Sequence, residues 1–260
     1  ADSNAEEYLT RSTLEISRKQ NMTTGAVTQL GQILNINPPT RMECYDISNI
    51  SGTDKVASMT VFEDGEKTTK LYRNFRIKTV EGANDFASMK EALVRRLLRL
   101  TEGKDISFKC RPDLIVIDGG QGQVTYAMEA LKECGYADIP LIGLAKKEET
   151  IIKSDGSVVL LPKNSFALML LQRIRDEAHR FAINYHRKLR ESRTLESKLK
   201  SINGVGDATV KALFAYFKSY EAISAATKDE LMKAPRMSDK LADKVIAFFK
   251  TAFEKSIEKK

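Results

Sequence analysis

The stretch of sequence that decides the fold is DLIVIDGG at residues 113–120. Four consecutive apolar residues, bounded by Pro112 and two glycines, are typical of a strand that is buried on both faces. A helical pattern follows at residues 123–133, and a second short apolar run, PLIGLAK, occupies residues 140–146. Because apolar runs that alternate with helices indicate parallel strands, this part of the chain predicts an α/β domain.

The residues before this stretch alternate with a period of two, which is typical of strands. Three such runs cover residues 42–50, 55–64 and 67–77, and Asp64-Gly65 is a hairpin signal between the second and the third. Short connections between consecutive strands predict an antiparallel meander. Apolar residues at helical spacing then predict a helix over residues 85–100.

The residues after this stretch complete the domain and add a second one. A hairpin is predicted around Asp155-Gly156, and a long helix from about Asn164 to Arg190. The charged residues 187–200 fit a linker or a helical extension, and we assign the linker to residues 191–200. Beyond it, two similar segments of helix, tight turn and helix predict a small all-helical domain.

Residues 1–40 are interpreted as a lead-in of one or two helices that stops at Pro38-Pro39, because the residue before a proline avoids the helical region. We expect this segment to stay outside the core. The predicted organisation is therefore the lead-in, an α/β domain with a mixed sheet over residues 41–190, the linker, and a helical domain over residues 201–260.

The net charge of +7 is unevenly distributed. Residues 186–260 hold 17 of the 42 Lys and Arg residues and 10 of the 35 Asp and Glu residues, so they carry the whole excess. A local basic excess favours nucleic acid or a membrane surface as partner, although a solvated lysine-rich face is the commoner explanation. No apolar run approaches the ~18 residues of a membrane span, and no secretory signal is visible. We therefore expect no membrane partner and three free cysteines in a reducing cytosol.

Two aspartates stand out against their apolar strands. Asp46 lies mid-strand on the face shared with Met42 and Cys44, where a carboxylate is costly unless it is paired or binds a metal. Asp118 ends the DLIVIDGG strand, where ligands collect in parallel sheets. Together they would form a hard-cation site that can polarise a phosphate and activate water. The alternative is structural: Asp118 starts the following helix and Asp46 pairs with an arginine.

Further candidates lie on the long helix and at the end of the PLIGLAK strand. His179 is a candidate for the site only in combination with the two aspartates, because a lone histidine on a helix is more often a surface or packing residue. Arg175 and Glu177 are weaker candidates for phosphate contact and for a supporting role. Lys146 would reach the same sheet edge as Asp118 and could bind the scissile phosphate; a solvated strand end is its alternative.

The helical domain contains an anion-binding pattern. Residues 204–206 read Gly-Val-Gly and precede a helix that starts at Asp207, and the backbone N–H groups of such a turn suit a DNA phosphate without reading sequence. A plain helical connection is the alternative for a single copy, but a second copy lies in the same basic segment. The residues that we assign to DNA binding are Gly204, Val205, Gly206, Lys211, Arg236, Ser238, Lys240 and Arg175.

Taken together, these residues resemble the C-terminal half of the UvrC family, the incision subunit of bacterial nucleotide excision repair. The resemblance covers residues 41 to about 250 and implies an RNase H-like mixed sheet with flanking helices, followed by a tandem helix-hairpin-helix domain. The matching blocks are ECYDIS at 43–48, DLIVIDGGQGQV at 113–124, PLIGLAK at 140–146, RDEAHRFAINYHR at 175–187, and the INGVG hairpin at 202–206 with its partner.

The resemblance also implies an activity. In the family this half makes the incision 5′ to the lesion with a metal-dependent triad, which corresponds here to Asp46, Asp118 and His179, with Lys146 as an accessory residue. It implies Mg²⁺ or Mn²⁺ as cofactor, damaged double-stranded DNA as substrate, UvrB as partner with UvrA acting upstream, and a cytoplasmic location. No counterpart of the family's N-terminal half is visible, so the chain resembles a fragment.

Two positions depart from the family pattern. Gln121 stands where a basic residue usually follows the two glycines, and Arg236 stands where the second hairpin usually has glycine. A non-glycine residue resists a left-handed backbone, so we expect weaker phosphate binding at that hairpin. Two rival functions stay open: a DNA-binding module without catalysis, and a transposase or resolvase relative with a third carboxylate at Asp176 or Glu177.

Overall fold

The structure is a computed structural model, and its contacts divide the chain into two compact units, Ala1–Asn184 and Tyr185–Lys260. We call them the α/β unit and the helical unit. Among the described residues, no helix has both the length and the hydrophobicity needed to cross a membrane. The structure describes residues 2–50, 54–80, 82, 84–103, 105–145 and 150–257.

The α/β unit contains helices on both sides of a single mixed sheet. Its helices are α1 (Asp2–Gln20), α2 (Ala26–Leu34), α3 (Asp85–Glu102), α4 (Ile106–Lys109), α5 (Gln121–Glu133) and α6 (Phe166–Lys200), the last of which continues into the helical unit. Its strands are β1 (Arg41–Ile50), β2 (Asp54–Glu63), β3 (Glu66–Lys67), β4 (Arg73–Arg76), β5 (Leu114–Ile117), β6 (Leu141–Ala145), β7 (Thr150–Lys153) and β8 (Val158–Val159).

The sheet has the order β3, β2, β1, β5, β6, β7, β8, and β4 also pairs with β2. The neighbours β1, β5 and β6 run parallel to one another, and the remaining pairs are antiparallel. The predicted α/β fold, in which an antiparallel meander precedes a parallel run, is confirmed.

The third strand of the meander differs from the single run predicted over residues 67–77. Its two halves, β3 and β4, both pair with β2, but they are separated by a 3₁₀ turn at Thr69–Leu71. Lys67 pairs with Phe62 and Arg73 pairs with Met59, so six steps along this strand face three steps along β2. The extra residues have to leave the ladder, and a period-two pattern does not reveal that mismatch.

The two faces of the sheet are covered by different helices. One face packs against α3 and α5, and the other packs against α2 and α6. Along β1, Met42 and Cys44 belong to the α6 side and Tyr45 to the α3 side; along β5, Leu114 and Val116 belong to the α6 side. Because side chains alternate along a strand, the residues at positions 46 and 118 are also directed to the α6 side.

The expectation that residues 1–40 stay outside the core is wrong for α2. Its buried stripe is part of the core on the α6 side, and the Gln29 side chain accepts a hydrogen bond of 2.8 Å from the backbone N–H of Ala167 at the start of α6. Gly31 allows close packing against the following turn, since a Cβ there would lie 3.0 Å from Pro38. The stripe consists of Ala26, Val27, Leu30 and Leu34.

The residues predicted as a linker, 191–200, are helical, which favours the helical extension over a flexible connection. The helix continues past the predicted end at Arg190 because residues 191–200 contain neither glycine nor proline and consist mainly of residues that tolerate helix. The division between the two units falls inside α6, after Asn184.

The helical unit is built as two similar halves around one apolar core. Its helices are the end of α6, α7 (Asp207–Phe217), α8 (Tyr220–Ala225), α9 (Lys228–Met232) and α10 (Asp239–Ile257). Positions 32 residues apart have the same role: Val210 and Leu213 of α7 correspond to Ala242 and Val245 of α10, and all four are buried. The predicted repeat of helix, tight turn and helix is therefore present.

Candidate active site

The two candidate aspartates lie side by side because β1 and β5 are parallel neighbours. Tyr45 pairs with Ile117, and the backbone N–H of Asp118 donates a 2.9 Å hydrogen bond to the carbonyl of Tyr45. This bond extends the ladder one step past β5, so Asp118 lies next to Asp46. Both side chains follow apolar residues of the α6 side, and both residues are buried, with 8% of Asp46 and 6% of Asp118 exposed.

His179 of α6 completes a group of three potential metal ligands. One ligand atom each from His179, Asp46 and Asp118 can be chosen so that all lie within 4.8 Å of one another. The Nδ1 atom of His179 is 3.6 Å from Oδ2 of Asp46, which is longer than a normal N–H···O hydrogen bond. The histidine side chain is 57% exposed, so the group opens to solvent on the α6 side.

Cys44 is a buried core residue next to this site. This residue is fully buried and precedes Asp46 by two positions on the same face of β1. Burial raises the pKa of its thiol well above the usual value, and the charges of Asp118 and Asp46 raise it further. The thiol therefore stays protonated, and the carboxylates and the imidazole are the ligands that the site offers.

Glu177 forms contacts on the side of α6 opposite to His179. Its carboxylate is 8% exposed and accepts hydrogen bonds from the Tyr72 hydroxyl at 3.1 Å and from Arg180 at 2.6 and 2.9 Å, with the Lys67 ammonium 3.8 Å away. The hydrogen bonds from Arg180 lower the pKa of Glu177, and burial followed by the charge of Glu177 raises the pKa of Tyr72. Arg180 lies on the same helix, so the contacts from Tyr72 and Lys67 are the ones that connect this side of α6 to other elements, while the apolar stripe of α6 packs against the sheet.

The positions of Asp176 and Glu177 bear on the rival with a third carboxylate. Glu177 is engaged by Tyr72 and Arg180, and the Asp176 side chain is 70% exposed and contacts Arg175 at 3.2 Å. Neither belongs to the group of ligands formed by the described residues. The geometry of α6 therefore favours the imidazole over a third carboxylate.

The two remaining candidates near this site, Arg175 and Lys146, have different outcomes. Arg175 lies one helical turn before His179 and is partly buried, and its charge acts on the Cys44 thiol together with those of the two aspartates. Arg175 is thus close to the site. The strand β6 ends at Ala145, and Lys146 lies outside the described residues.

Glu43 was missed by the sequence interpretation although it is the first residue of the ECYDIS block. It is fully buried on the α3 side of β1 and accepts hydrogen bonds from Arg96 at 2.7 and 3.0 Å, from Arg41 at 3.1 Å and from the Tyr45 hydroxyl at 2.8 Å. The signal was available: a carboxylate in a buried strand needs a partner, and Arg96 interrupts the apolar stripe of the helix over residues 85–100. These hydrogen bonds stabilise β1, the strand that carries Asp46, on the face opposite to the site.

The two hairpins of the helical unit share a turn hydrogen bond and a residue with positive φ. The N–H of Val205 donates to the carbonyl of Ile202 at 2.9 Å, and the N–H of Met237 donates to that of Ala234 at 3.3 Å. The third residue of each turn has positive φ, 99° at Gly204 and 66° at Arg236. Arg236 thus adopts the left-handed conformation that we expected it to resist.

The helix N-termini that follow these two turns are electrostatically similar. Lys200 forms an ion pair with Asp207 at the start of α7, and Lys228 contacts Asp239 at 2.9 Å at the start of α10. Each lysine offsets a carboxylate that would otherwise repel an anion at the helix N-terminus. The Val205 side chain is buried in the unit's core, so only its backbone is available to a ligand.

Comparison with known proteins identifies this architecture. Residues 31–183, more than half of the chain, match the model of the UvrC RNase H endonuclease domain. The chain belongs to the UvrC family. Residues 196–251 match a second model, the SAM-like helix-hairpin-helix tandem. The mixed sheet with flanking helices and the two hairpins are thus the RNase H-like and helix-hairpin-helix parts of a UvrC chain, as the resemblance implied.

Similar proteins include two named UvrABC system protein C. That of Finegoldia magna is 41% identical over 252 residues, which cover 95% of this chain and 41% of the relative. That of Methanococcoides burtonii is 46% identical over 253 residues, 96% of this chain and 41% of the relative. The chain therefore spans about two fifths of the length of these UvrC relatives.

Among solved structures, human ENDOV is 12% identical to this UvrC chain, with a TM-score of 0.35; the match covers 58% of this chain and 85% of that one.

Proposed function

We propose that this UvrC chain is a divalent-metal-dependent DNA endonuclease that hydrolyses one phosphodiester bond near a lesion and makes the 5′ incision of nucleotide excision repair. The observation that carries the proposal is the convergence of Asp46, Asp118 and His179. Membership in the family supports DNA as the substrate. The side of the incision rests on the resemblance alone.

The donor atoms of the site suit Mg²⁺ or Mn²⁺. Two carboxylates and one imidazole fit a small divalent cation, and ligands bonded at about 2.1 Å to one ion lie no more than about 4.2 Å apart. The three atoms here lie within 4.8 Å of one another, so they are close enough for side-chain rotations to bring them to one ion. When bound, the cation would supply charge stabilisation at the scissile phosphate and a more acidic water.

The side chains divide the remaining work. Asp46 and Asp118 are buried and would keep their oxygens directed at the cation, while the exposed His179 would act as a third ligand or accept the proton of the attacking water. Arg175, one turn earlier on α6, would contact a non-bridging phosphate oxygen. Lys146 is proposed for the same task at the end of β6.

The helical unit would hold the DNA through the turns at Gly204 and Arg236 and the amides that follow them, with Lys211, Ser238 and Lys240 beside them. Backbone amides contact phosphate without reading sequence. This property suits an enzyme whose lesion choice comes from UvrB, with UvrA acting upstream, in the full-length protein. We place this assembly in the cytoplasm, where bacterial DNA lies.

The test is cleavage of a lesion-containing duplex by the purified chain with Mg²⁺, with Mn²⁺ and with EDTA, together with Mn²⁺ binding followed by electron paramagnetic resonance. We expect metal-dependent cutting and Mn²⁺ binding, and loss of both in Asp118→Asn. Asp176→Asn is the matched control on α6 and should behave as the wild type. Equal cutting in EDTA, or normal cutting by Asp118→Asn, would contradict the proposal.

Assignment of the incision side needs the full-length protein with UvrA and UvrB on end-labelled DNA. We expect His179→Ala to abolish the 5′ product and to leave the 3′ product. Loss of only the 3′ product would reverse the assignment.

A further inference from the structure

Phe86 is an exposed aromatic residue that core packing does not explain. It continues the apolar stripe of α3, whose members Met89, Leu93 and Leu97 are fully buried, but Phe86 itself is 45% exposed. The stripe therefore extends one turn beyond the core, at the N-terminal end of α3.

The Phe86 ring is held in place by two elements of the α/β unit. It stacks on Tyr126 of α5, with ring centroids 5.6 Å apart and an interplanar angle of 26°. It also lies on Gly122 in the first turn of α5, where a Cβ would come within 2.9 Å of the ring. Glycine at position 122 thus lets the ring rest on the helix backbone.

This aromatic pair is close to the candidate active site. Gly122 follows Asp118 by four residues, and four residues span at most about 14 Å. On the other side, Asn49 near the end of β1 donates a 2.9 Å hydrogen bond to Asp85, the residue before Phe86. The ring is therefore tied to both strands that carry the aspartates. At about 3.4 Å per nucleotide of a duplex strand, Gly122, on which the ring lies, is within about four nucleotides of a phosphate bound at Asp118.

We propose that Phe86, backed by Tyr126, is a stacking platform for an unpaired nucleobase of the DNA strand that is cut. This inference rests on the proposed nuclease function. A nucleobase is the occupant that fits, because bases stack on aromatic side chains without sequence preference, and a phosphate held at Asp118 brings its flanking bases to this edge of the sheet.

Three variants separate stacking from packing. Phe86→Leu keeps an apolar cover over Gly122 but removes the aromatic face, and Phe86→Tyr restores that face. Leu98→Ala is the matched control, because Leu98 lies on the same helix and is 56% exposed. Thermal unfolding of each variant verifies that the α/β unit is intact.

The reporter is 2-aminopurine placed in turn at each of the four positions on either side of the incision, in a duplex with a short unpaired bubble. Binding is measured with Asp46→Asn in every protein, so that the strand stays uncut. We expect quenching at one position with Phe86 or Phe86→Tyr, and its loss with Phe86→Leu. In the cutting enzyme we expect Phe86→Leu to raise KM about tenfold at unchanged kcat, and Leu98→Ala to leave KM unchanged.

Two results would overturn the inference: quenching that is the same in Phe86→Leu and wild type, or a KM defect in Phe86→Leu that Phe86→Tyr does not rescue. The second would show that binding does not depend on an aromatic face at this position. Failure of the proposed function is distinguishable, because a protein that never cuts with metal still reports stacking through 2-aminopurine. If the enzyme cuts but quenching does not depend on Phe86, the stacking inference is wrong and the proposed nuclease function stands.

Discussion

The α/β unit and the helical unit differ in the groups that we propose for contact with a phosphate. The first presents two buried carboxylates and an imidazole, and in our proposal a cation lies between them and the phosphate. The second presents backbone amides at two turns within a segment that carries the chain's whole positive excess. Side-chain chemistry is decisive in one unit, and backbone conformation in the other. Substitutions should therefore separate cutting from binding, and the following predictions are ordered by the size of the expected effect.

The largest effect is expected from Asp46→Asn, which removes one negative ligand and keeps the shape of the side chain. Cutting should fall by about 100-fold or more, because even residues that only support a metal ligand change activity by 10–100-fold. DNA affinity should stay the same within a factor of about two, because the helical unit is unchanged. Gel cleavage and fluorescence anisotropy measure the two properties. If DNA affinity fell together with cutting, the proposed division of binding and cutting between the two units would be wrong.

The next effect is on the stability of the α/β unit. Glu43→Ala leaves the buried guanidinium of Arg96 uncompensated, which should lower the free energy of unfolding by about 3–5 kcal/mol. Glu63→Ala removes the half-exposed partner of Arg41 and should cost no more than about 1 kcal/mol. Urea denaturation followed by circular dichroism measures both. A value for Glu43→Ala equal to that of Glu63→Ala would mean that the network is solvated.

A moderate effect is expected from Gly204→Ala in the first hairpin. A left-handed conformation costs a residue with a Cβ about 1–2 kcal/mol, and the new Cβ would lie 3.4 Å from Leu241. DNA affinity should fall about five- to tenfold while cutting at saturating DNA is retained. Anisotropy titration at low salt measures the affinity. Unchanged affinity would show that this turn does not contact phosphate.

The smallest effect is expected from Arg236→Asn in the second hairpin. Asparagine tolerates the left-handed conformation better than most residues, so the turn is kept and only the charge is removed. Affinity should fall about two- to threefold at low salt, and the slope of log K against log[salt] should decrease by about 0.9. A loss as large as that of Gly204→Ala would show that the charge of Arg236 contributes as much to binding as the backbone of the first hairpin.

Much of the fold followed from local pattern. The apolar run before Asp118 predicted a buried strand, Asp64-Gly65 predicted a hairpin, and the structure contains both. The convergence of Asp46 and Asp118 followed from the pairing of their two strands as parallel neighbours. These inferences succeeded because each depends on residues that are close in sequence or on one known rule of strand pairing.

Other features did not follow from local pattern. The interruption between β3 and β4 depends on register against β2, and the packing of α2 depends on a helix more than a hundred residues away. Arg236 was expected to resist positive φ, but its turn has the same hydrogen bond as the first hairpin. For the β3–β4 interruption and for α2 the deciding partner lies elsewhere in the chain, so tertiary contacts outweigh local propensity.

The sequence alone determined which side chains could form the site: two aspartates beside apolar strands and a histidine on the closing helix. Only the tertiary structure decided that His179, and neither Asp176 nor Glu177, is directed toward the aspartates. A helical pattern leaves the rotation of a helix free to within about one residue, or 100°. Here that rotation follows from the buried apolar stripe of α6 and from the hydrogen bond that Glu177 accepts from Tyr72, which is 105 positions away along the chain.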